Sequence, residues 1–541
     1  MRCPVPVSST RRILCVFPAY SPSFGTFSHS YRLMGGGVRA FMPPQGLLVI
    51  AAYLPERWNV RFVDENVRPT RAADFEWADV VLVSGMHIQA GHIRGIQQRA
   101  KAAGKLTALG GPSASGAPES YPEFDYLHVG ELGDATDRLI ALLDASLEPP
   151  QRQVRLETRE RLSMSDFPVP AYSHLRLQRY MLASVQFSSG CPYRCEFCDI
   201  PSLYGRQPRL KTPEQVVWEL DAMCRQAPVR IVYFVDDNFI GNRRATRELL
   251  QQLVRWQQQH GYPLAFACEA TLNLAKQTEI LELMRAAGFI TVFVGIETPD
   301  IEALKRIDKA HNATLPILEA VENLNRYGLE VVSGIILGLD GDTPATADRL
   351  IEFTARSRIP MLTVNLLQAL PKTPLWDRLQ GEDRIVEQVE GRESNVRFLR
   401  PYEDVLADWK RCIRTIYAPQ FLIDRFLHHV ETTYRNRIDR PVRGRLKPAN
   451  LWLGLVMAFT MTTHIGLFAD YRREFWRAVG ACLRYRQVES LFNIVIVAHH
   501  LICFSRKAVL GQQNASFYSS QIRPAVRANF EGLRLLRQRL R

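Results

Sequence analysis

The chain has 541 residues, 46% of them apolar and 23% charged, with ten cysteines and a formal net charge of +13. That length predicts roughly three domains with sizeable cores, and it excludes both a disordered chain and a small disulfide-stapled scaffold. Between Glu431 and Arg541 stand 19 lysines and arginines against 6 acidic residues, so the rest of the chain is close to neutral. Such a basic end suits anionic lipid or nucleic acid, or is only a solvated face.

Residues 1–147 open without a long apolar leader, so no signal peptide is expected. Free thiols suit a reducing cytoplasm. Five apolar runs, Ile13–Phe17, Val60–Asp64, Val80–Ser84, Thr107–Gly110 and Tyr126–Val129, alternate with helical stretches. That alternation predicts a parallel, doubly wound, Rossmann-like sheet, with ligands at the carboxyl ends of its strands. The loops there carry Gly85, Gly110-Gly111 and Gly130-Glu131, which permit close approach of a large ligand. Residues 148–180 are polar and contain Phe167-Pro-Val-Pro-Ala-Tyr172, and they read as an extended linker.

Residues 181–382 show six further strands separated by helices: Ser184–Ser188, Ile231–Asp236, Leu264–Ala270, Thr291–Ile296, Val331–Leu337 and Thr363–Leu370. Six β/α units predict a partial barrel with its chemistry at the carboxyl strand ends. After the first of these strands comes Gly190-Cys-Pro-Tyr-Arg-Cys-Glu-Phe-Cys-Asp199. Cys191, Cys195 and Cys198 are thus spaced to hold three irons of a [4Fe–4S] cluster and leave the fourth open. A zinc knuckle would need a fourth Cys or His, and none stands nearby at zinc spacing. The other strand ends are polar: Asp236-Asp237, Glu269 with Asn273, Glu297, Ser333 and Gln368.

The cysteine run, with Val235-Asp-Asp-Asn-Phe-Ile-Gly241 and Leu366-Leu-Gln-Ala-Leu-Pro-Lys-Thr-Pro374, resembles the cobalamin-dependent radical S-adenosylmethionine (SAM) family. The likeness is to the subgroup with a C-terminal helical domain, which includes the bacterial hopanoid C-2 methylases. It implies that the open iron binds SAM and that an electron from the cluster cleaves SAM to a 5′-deoxyadenosyl radical. Phe197 is then expected near the adenine, Asp236 and Asp237 at the methionyl ammonium, and Glu297 at the ribose hydroxyls. Glu269, Asn273, Ser333 and Gln368 are expected to face the same cofactor. Gly85, Gly110, Gly111, Gly130 and Glu131 are expected at cobalamin. The histidine of the D-x-H-x-x-G cobalt-ligating motif is missing after the first strand, where Phe17-Pro-Ala-Tyr20 stands. His92-Ile-Arg-Gly95 holds half of that motif but reads as helix.

Residues 383–541 are mainly helical, with apolar segments Leu451–Phe468 and Leu491–Phe504. The first reaches the ~18 residues at which a span becomes conceivable. A buried core helix, an interfacial helix and a span all remain open for it. His499-His500 reads as a satisfied helical pair. The resemblance implies methylation of an unactivated carbon of a lipid, a hopanoid at C-2, by a cytoplasmic enzyme peripheral to the membrane. The electron donor would be a ferredoxin or flavodoxin. Tetrapyrrole cyclisation and a non-catalytic cobalamin-binding regulator are the rival readings. Nucleic acid is not expected as a partner, because tRNA methylthiolation calls for a second cysteine triad ahead of the core and only Cys3 and Cys15 precede the linker.

Overall fold

The computed structural model describes residues 10–35, 37–309, 315–386, 392–438, 448–515 and 519. The basic tail Arg523–Arg541, expected to add to the C-terminal charge, lies outside the described residues, as does Cys3.

The first sheet holds β1 (Arg12–Phe17), β2 (Asn59–Asp64), β3 (Val80–Ser84), β4 (Leu106–Gly110), β5 (Tyr126–Val129) and β6 (Val154–Glu157). All pairings are parallel, in the order β2-β1-β3-β4-β5-β6. The order reverses beside β1, which opens a crevice at the carboxyl ends of β1 and β3. Strand β6 corrects the linker reading of 148–180: Val154–Glu157 pairs along Tyr126–Val129 and extends this sheet. Only Leu156 of β6 is buried, so its apolar signal is too weak to read as a strand. Helix α1 (Ala90–Ala102) buries Ile93, Ile96 and Ala100 against this sheet and contains His92, as expected.

The second sheet holds β7 (Ala183–Val185), followed by the small hairpin pair β8 (Ser188–Ser189) and β9 (Arg209–Leu210) that flanks the cysteine run. It continues with β10 (Ile231–Phe234), β11 (Ala265–Ala270), β12 (Phe289–Glu297), β13 (Glu330–Leu337) and β14 (Met361–Leu366). The order is β14-β13-β12-β11-β10-β7, again all parallel. Successive side chains alternate in side. Val232, Phe234, Phe266, Cys268, Val292 and Val294 are buried in the main core, whereas Tyr233, Glu269, Thr291, Gly334 and Thr363 line the lumen. Strands β7 and β14 are unpaired to each other, so the barrel is open on one side.

Local signals fix the helices around it. Helix α2 (Pro213–Gln226) begins with proline after Thr212, whose Oγ1 accepts the Gln215 amide at 3.2 Å while Gln215 Oε1 accepts the Thr212 amide at 2.8 Å. This reciprocal box satisfies two amides that the helix itself cannot pair. The C-terminal part comprises α3 (Tyr402–Ile416), α4 (Pro419–Glu431), α5 (Pro448–Met461), α6 (Arg472–Arg484) and α7 (Val488–Val509). α5 continues into a π-helical turn, Thr462–Leu467.

Candidate active site

The carboxyl ends of both sheets open into one cavity of about 980 Å³. Polar contacts across it hold the two domains in place. Lys372 Nζ donates to the Ser115 carbonyl at 2.6 Å, and Arg161 Nη1 to the Tyr204 carbonyl at 2.9 Å. Gln45, on the cavity wall, donates from Nε2 to Tyr172 Oη at 3.1 Å, and the buried Lys211 pairs with Glu219.

The cysteine run is anchored on three sides. Gly190 N donates to Asp237 Oδ2 at 2.7 Å, and Cys191 N to the Gly205 carbonyl at 3.2 Å. Arg378 Nε donates to Glu196 Oε1 at 2.6 Å, and its Nη1 to Asp340 Oδ2 at 2.8 Å. Glu196, between Cys195 and Cys198, is thereby pinned to the helix that follows β14. Burial pushes the Cys191 thiol up to about 11 and raises Cys195 and Cys198 as well. Three adjacent, half-buried thiols with raised pKa values become thiolates together only when a bound cation stabilises them, which fits an iron–sulfur cluster. Among the described residues no three His, Cys, Asp or Glu side chains converge on a single ion. A [4Fe–4S] cluster does not need that, since it spreads its ligands over separate irons.

Beside the cysteines, Lys309 Nζ lies 2.5 Å from Glu297 Oε1, and the two side chains are 8% and 10% exposed. Burial opposes the Lys309 ammonium, but Glu297 and the nearby Cys195 outweigh it and raise the Lys309 pKa. Glu297 sits at φ +66°, a conformation rare for a non-glycine residue. The pair needs Gly295: a Cβ there would lie 2.3 Å from Glu297 Oε1 and 2.6 Å from Lys309 Nζ. Lys309 also lies 5.4 Å from the centre of the Phe197 ring.

Asp236 Oδ1 accepts the Phe187 amide at 2.9 Å and the Ser188 amide, while its Oδ2 is buried without a partner. An orphaned carboxylate oxygen on the cavity wall fits a donor such as the SAM ammonium. Burial raises Asp236 to about 7, Asp237 to about 6 and Glu269 to about 7. Glu269 Oε1 accepts from Tyr233 Oη at 3.2 Å.

On the other wall, Gly85, Gly110, Gly111 and Gly130 all line the cavity. Gly111 has φ +87°, and a Cβ on it would lie 2.4 Å from Ser84 Oγ. Only glycine lets β3 and β4 end this close together and leave backbone facing the ligand. That bare, glycine-lined wall fits cobalamin. Glu131 also reaches the cavity, but its carboxylate is engaged by Ser189 Oγ at 3.0 Å, by Arg161 at 3.3 Å and by Arg209. It therefore ties the first domain to the strands that flank the cysteine run.

Cys198, Phe197, Asp236, Asp237, Glu269, Glu297 and Gln368 share this cavity. Four expected residues stand apart from its lining: Cys191 and Cys195, earlier on the loop that carries Cys198, and Ser333 and Asn273. Ser333 falls on the helix-facing side of β13, between the lumen residues Val332 and Gly334, and its Oγ donates to the Val294 carbonyl at 2.6 Å. Asn273, in the 3-10 turn after β11, donates to Tyr193 Oη at 2.6 Å and so braces the cysteine run. Sequence reading missed His87, two residues past Gly85. It lines the cavity with Nε2 buried and unpartnered, and burial lowers it to about 4, so the ring is neutral. Its position in the loop after β3 was the available signal. His499 and His500 are satisfied, His499 by Tyr471 Oη and His500 by the Ser23 carbonyl at 3.0 Å and His29.

Family comparisons agree with this layout. Residues 31–140 match the B12 binding domain, 185–354 the radical SAM superfamily, and 373–514 a domain of unknown function (DUF4070). The chain is 56% identical to the hopanoid C-2 methylase of Rhodopseudomonas palustris (strain TIE-1), over 96% of this chain and 98% of that one. Its fold is similar to the cobalamin-dependent SAM radical enzyme OxsB with aqua-cobalamin and SAM bound, with a TM-score of 0.58, 14% identity and coverage of 93% and 80%. It is also similar to the methyltransferase TsrM from Kitasatospora setae with cobalamin and a [4Fe–4S] cluster bound, with a TM-score of 0.53, 17% identity and coverage of 89% and 100%. The cofactors are a [4Fe–4S] cluster, SAM and cobalamin. With this identity over almost its entire length, the chain belongs to the cobalamin-dependent radical SAM methyltransferases, in the family of the hopanoid C-2 methylase.

Proposed function

We propose that this enzyme methylates an unactivated carbon of a hopanoid at C-2. The observation that carries the reading is the 56% identity to a hopanoid C-2 methylase, with both cofactor domains meeting at one cavity. Together the cofactors supply a hydrogen-abstracting radical and a transferable methyl group, the chemistry an aliphatic carbon without an acidic proton or lone pair requires.

The chain's own residues hold and orient. Cys191, Cys195 and Cys198 bind three irons, and Arg378 and Asp237 fix the loop that carries them. Asp236 accepts the SAM ammonium, Phe197 packs against its adenine, and Glu297, positioned by Lys309, takes the ribose hydroxyls. Gly110 and Gly111 leave the opposite wall bare for cobalamin. The electron comes from a low-potential carrier such as ferredoxin or flavodoxin. A hopanoid substrate requires peripheral contact with a membrane.

The test is anaerobic turnover of the reconstituted, cobalamin-loaded enzyme with SAM, a low-potential reductant and a detergent-dispersed hopanoid. The expected products are 5′-deoxyadenosine and a hopanoid one methyl group heavier, both lost in Cys195→Ala. Deoxyadenosine without methylated hopanoid would overturn the substrate and leave the radical chemistry standing.

A further inference from the structure

Nine of the sixteen exposed large apolar side chains among the described residues lie between Leu451 and Val488. Trp452, Leu455 and Phe459 form one stripe of α5 and are 69%, 65% and 72% exposed. Leu467, Phe468, Trp476 and Leu483 extend the patch over the turn and α6. A contiguous apolar face of this kind marks an interaction site. It also corrects one option for Leu451–Phe468, since α5 is not a core helix.

Its polar side chains bond to the backbone carbonyls of the patch itself. Thr460 Oγ1 donates to the Val456 carbonyl at 2.7 Å, Thr463 Oγ1 to Phe459 O at 2.9 Å and Trp476 Nε1 to Gly466 O at 3.0 Å. His464 Nδ1 lies 3.0 Å from the Thr460 carbonyl. These bonds let the helix meet hydrocarbon without stranding a donor. The rim is cationic: Arg472, Arg473, Arg484 and Arg486 are exposed, and none forms an ion pair among the described residues.

Together with its π-helical turn, α5 is long and apolar enough to cross a bilayer by length and composition, over Asn450–Leu467, but both its ends are fixed to the protein. Asn450 Oδ1 accepts from Arg230 Nη2 at 2.8 Å, Leu453 packs on Gly35, and Met461 and Ile465 join a satellite core with Leu33, Phe475, Val495 and Ile496. The helix therefore lies along the protein surface. Apolar residues on one face with arginines at the edge fit the headgroup boundary of an anionic leaflet.

The patch adjoins the open side of the barrel. Val495 and Ile496 of α7 face the satellite core, while Ser490, Asn493 and Val497 of the same helix line the cavity. So do Met181, just before edge strand β7, and Asn365 of edge strand β14. One helix, α7, thus separates the exposed face from the catalytic cavity.

We propose that the α5–α6 face docks the enzyme on an anionic lipid bilayer and sets the open side of the barrel against the leaflet that supplies its substrate. This rests on the lipid-methylation reading above. The test uses the reconstituted holoenzyme, floated with phosphatidylglycerol–phosphatidylcholine vesicles. Wild type is expected to float, less so as salt rises. Trp452→Glu/Phe459→Glu and, separately, Arg472→Glu/Arg473→Glu are expected to bind at least about tenfold more weakly. The Trp452→Glu/Phe459→Glu enzyme should match wild type on detergent-dispersed hopanoid and fall about tenfold on hopanoid embedded in the vesicles.

Failure of wild type to float, or unchanged flotation and unchanged vesicle activity in the variants, would overturn the docking face. So would a lipid-free dimer that Trp452→Glu/Phe459→Glu dissolves, because the face would then belong to a second copy. Wild type that floats but leaves detergent-dispersed hopanoid unmethylated would instead reject the substrate reading.

Discussion

Both sheets have six parallel strands, and both end at the same cavity, yet they present opposite chemistry there. The first ends in glycines: Gly85, Gly110, Gly111 and Gly130. The second ends in thiols and carboxylates: Cys198, Asp236, Asp237, Glu269 and Glu297. A large, rigid cofactor needs backbone close by and side chains out of the way. A small charged cofactor and a metal cluster need fixed ligands and counter-charges. The buried acids carry the cost of that second wall, since Asp236 and Glu269 are both pushed to about 7. On the glycine wall the burial cost falls on His87 and His128 instead, both lowered to about 4 and so neutral.

The comparison can be broken most severely at the charged wall. Glu297→Ala leaves Lys309 buried and unpaired, so stability is expected to fall by about 3–5 kcal/mol. Chemical denaturation measures this, and adding Lys309→Met should recover most of the loss. Arg378→Ala releases Glu196 and the loop between Cys195 and Cys198. Activity should fall roughly 10- to 100-fold, with lower iron content per chain and a normal cobalamin spectrum.

The next effect is on pH. Asp236, Asp237 and Glu269 have folded-state pKa values above those of free carboxyls. At these three carboxyls the folded apo chain binds more protons than the unfolded one, so their contribution to stability falls as pH rises from about 4 to about 7, while buried histidines such as His87, His128 and His500, whose pKa values burial lowers, act in the opposite direction. Asp236→Asn should flatten that fall, as read from melting temperature against pH. Ser333→Ala sharpens the comparison from the other side. It removes a hydrogen bond inside the barrel wall, worth about 1 kcal/mol, and should leave SAM affinity unchanged by equilibrium binding.

Much of this arrangement is written in local pattern. The strands, the cysteine spacing and the glycine loops are short-range features, and all eleven strand runs read from the sequence overlap a strand of the structure. Ser333 was legible too, because side-chain parity along β13 sends it to the helix side once Val332 and Gly334 face the lumen. Strand β6 was not: with one buried residue, its pairing to β5 is decided by the neighbouring strand. The role of Glu131 depends on Arg161, Arg209 and Ser189 arriving from other segments, and the Glu297–Lys309 pair on Gly295 leaving room. No window of sequence holds those contacts. The exposure of α5 was equally hidden, since an apolar helix reads the same whether it is covered or bare.

The most direct measurement is paired cofactor content. Gly111→Val and Cys195→Ala would each be purified anaerobically, reconstituted with iron, sulfide and cobalamin, and assayed for all three. Gly111→Val should lose cobalamin and keep its cluster and SAM binding, while Cys195→Ala should lose the cluster and keep cobalamin. Loss of both cofactors together in either folded variant, or cobalamin retained by Gly111→Val, would contradict a cavity built from two independent walls.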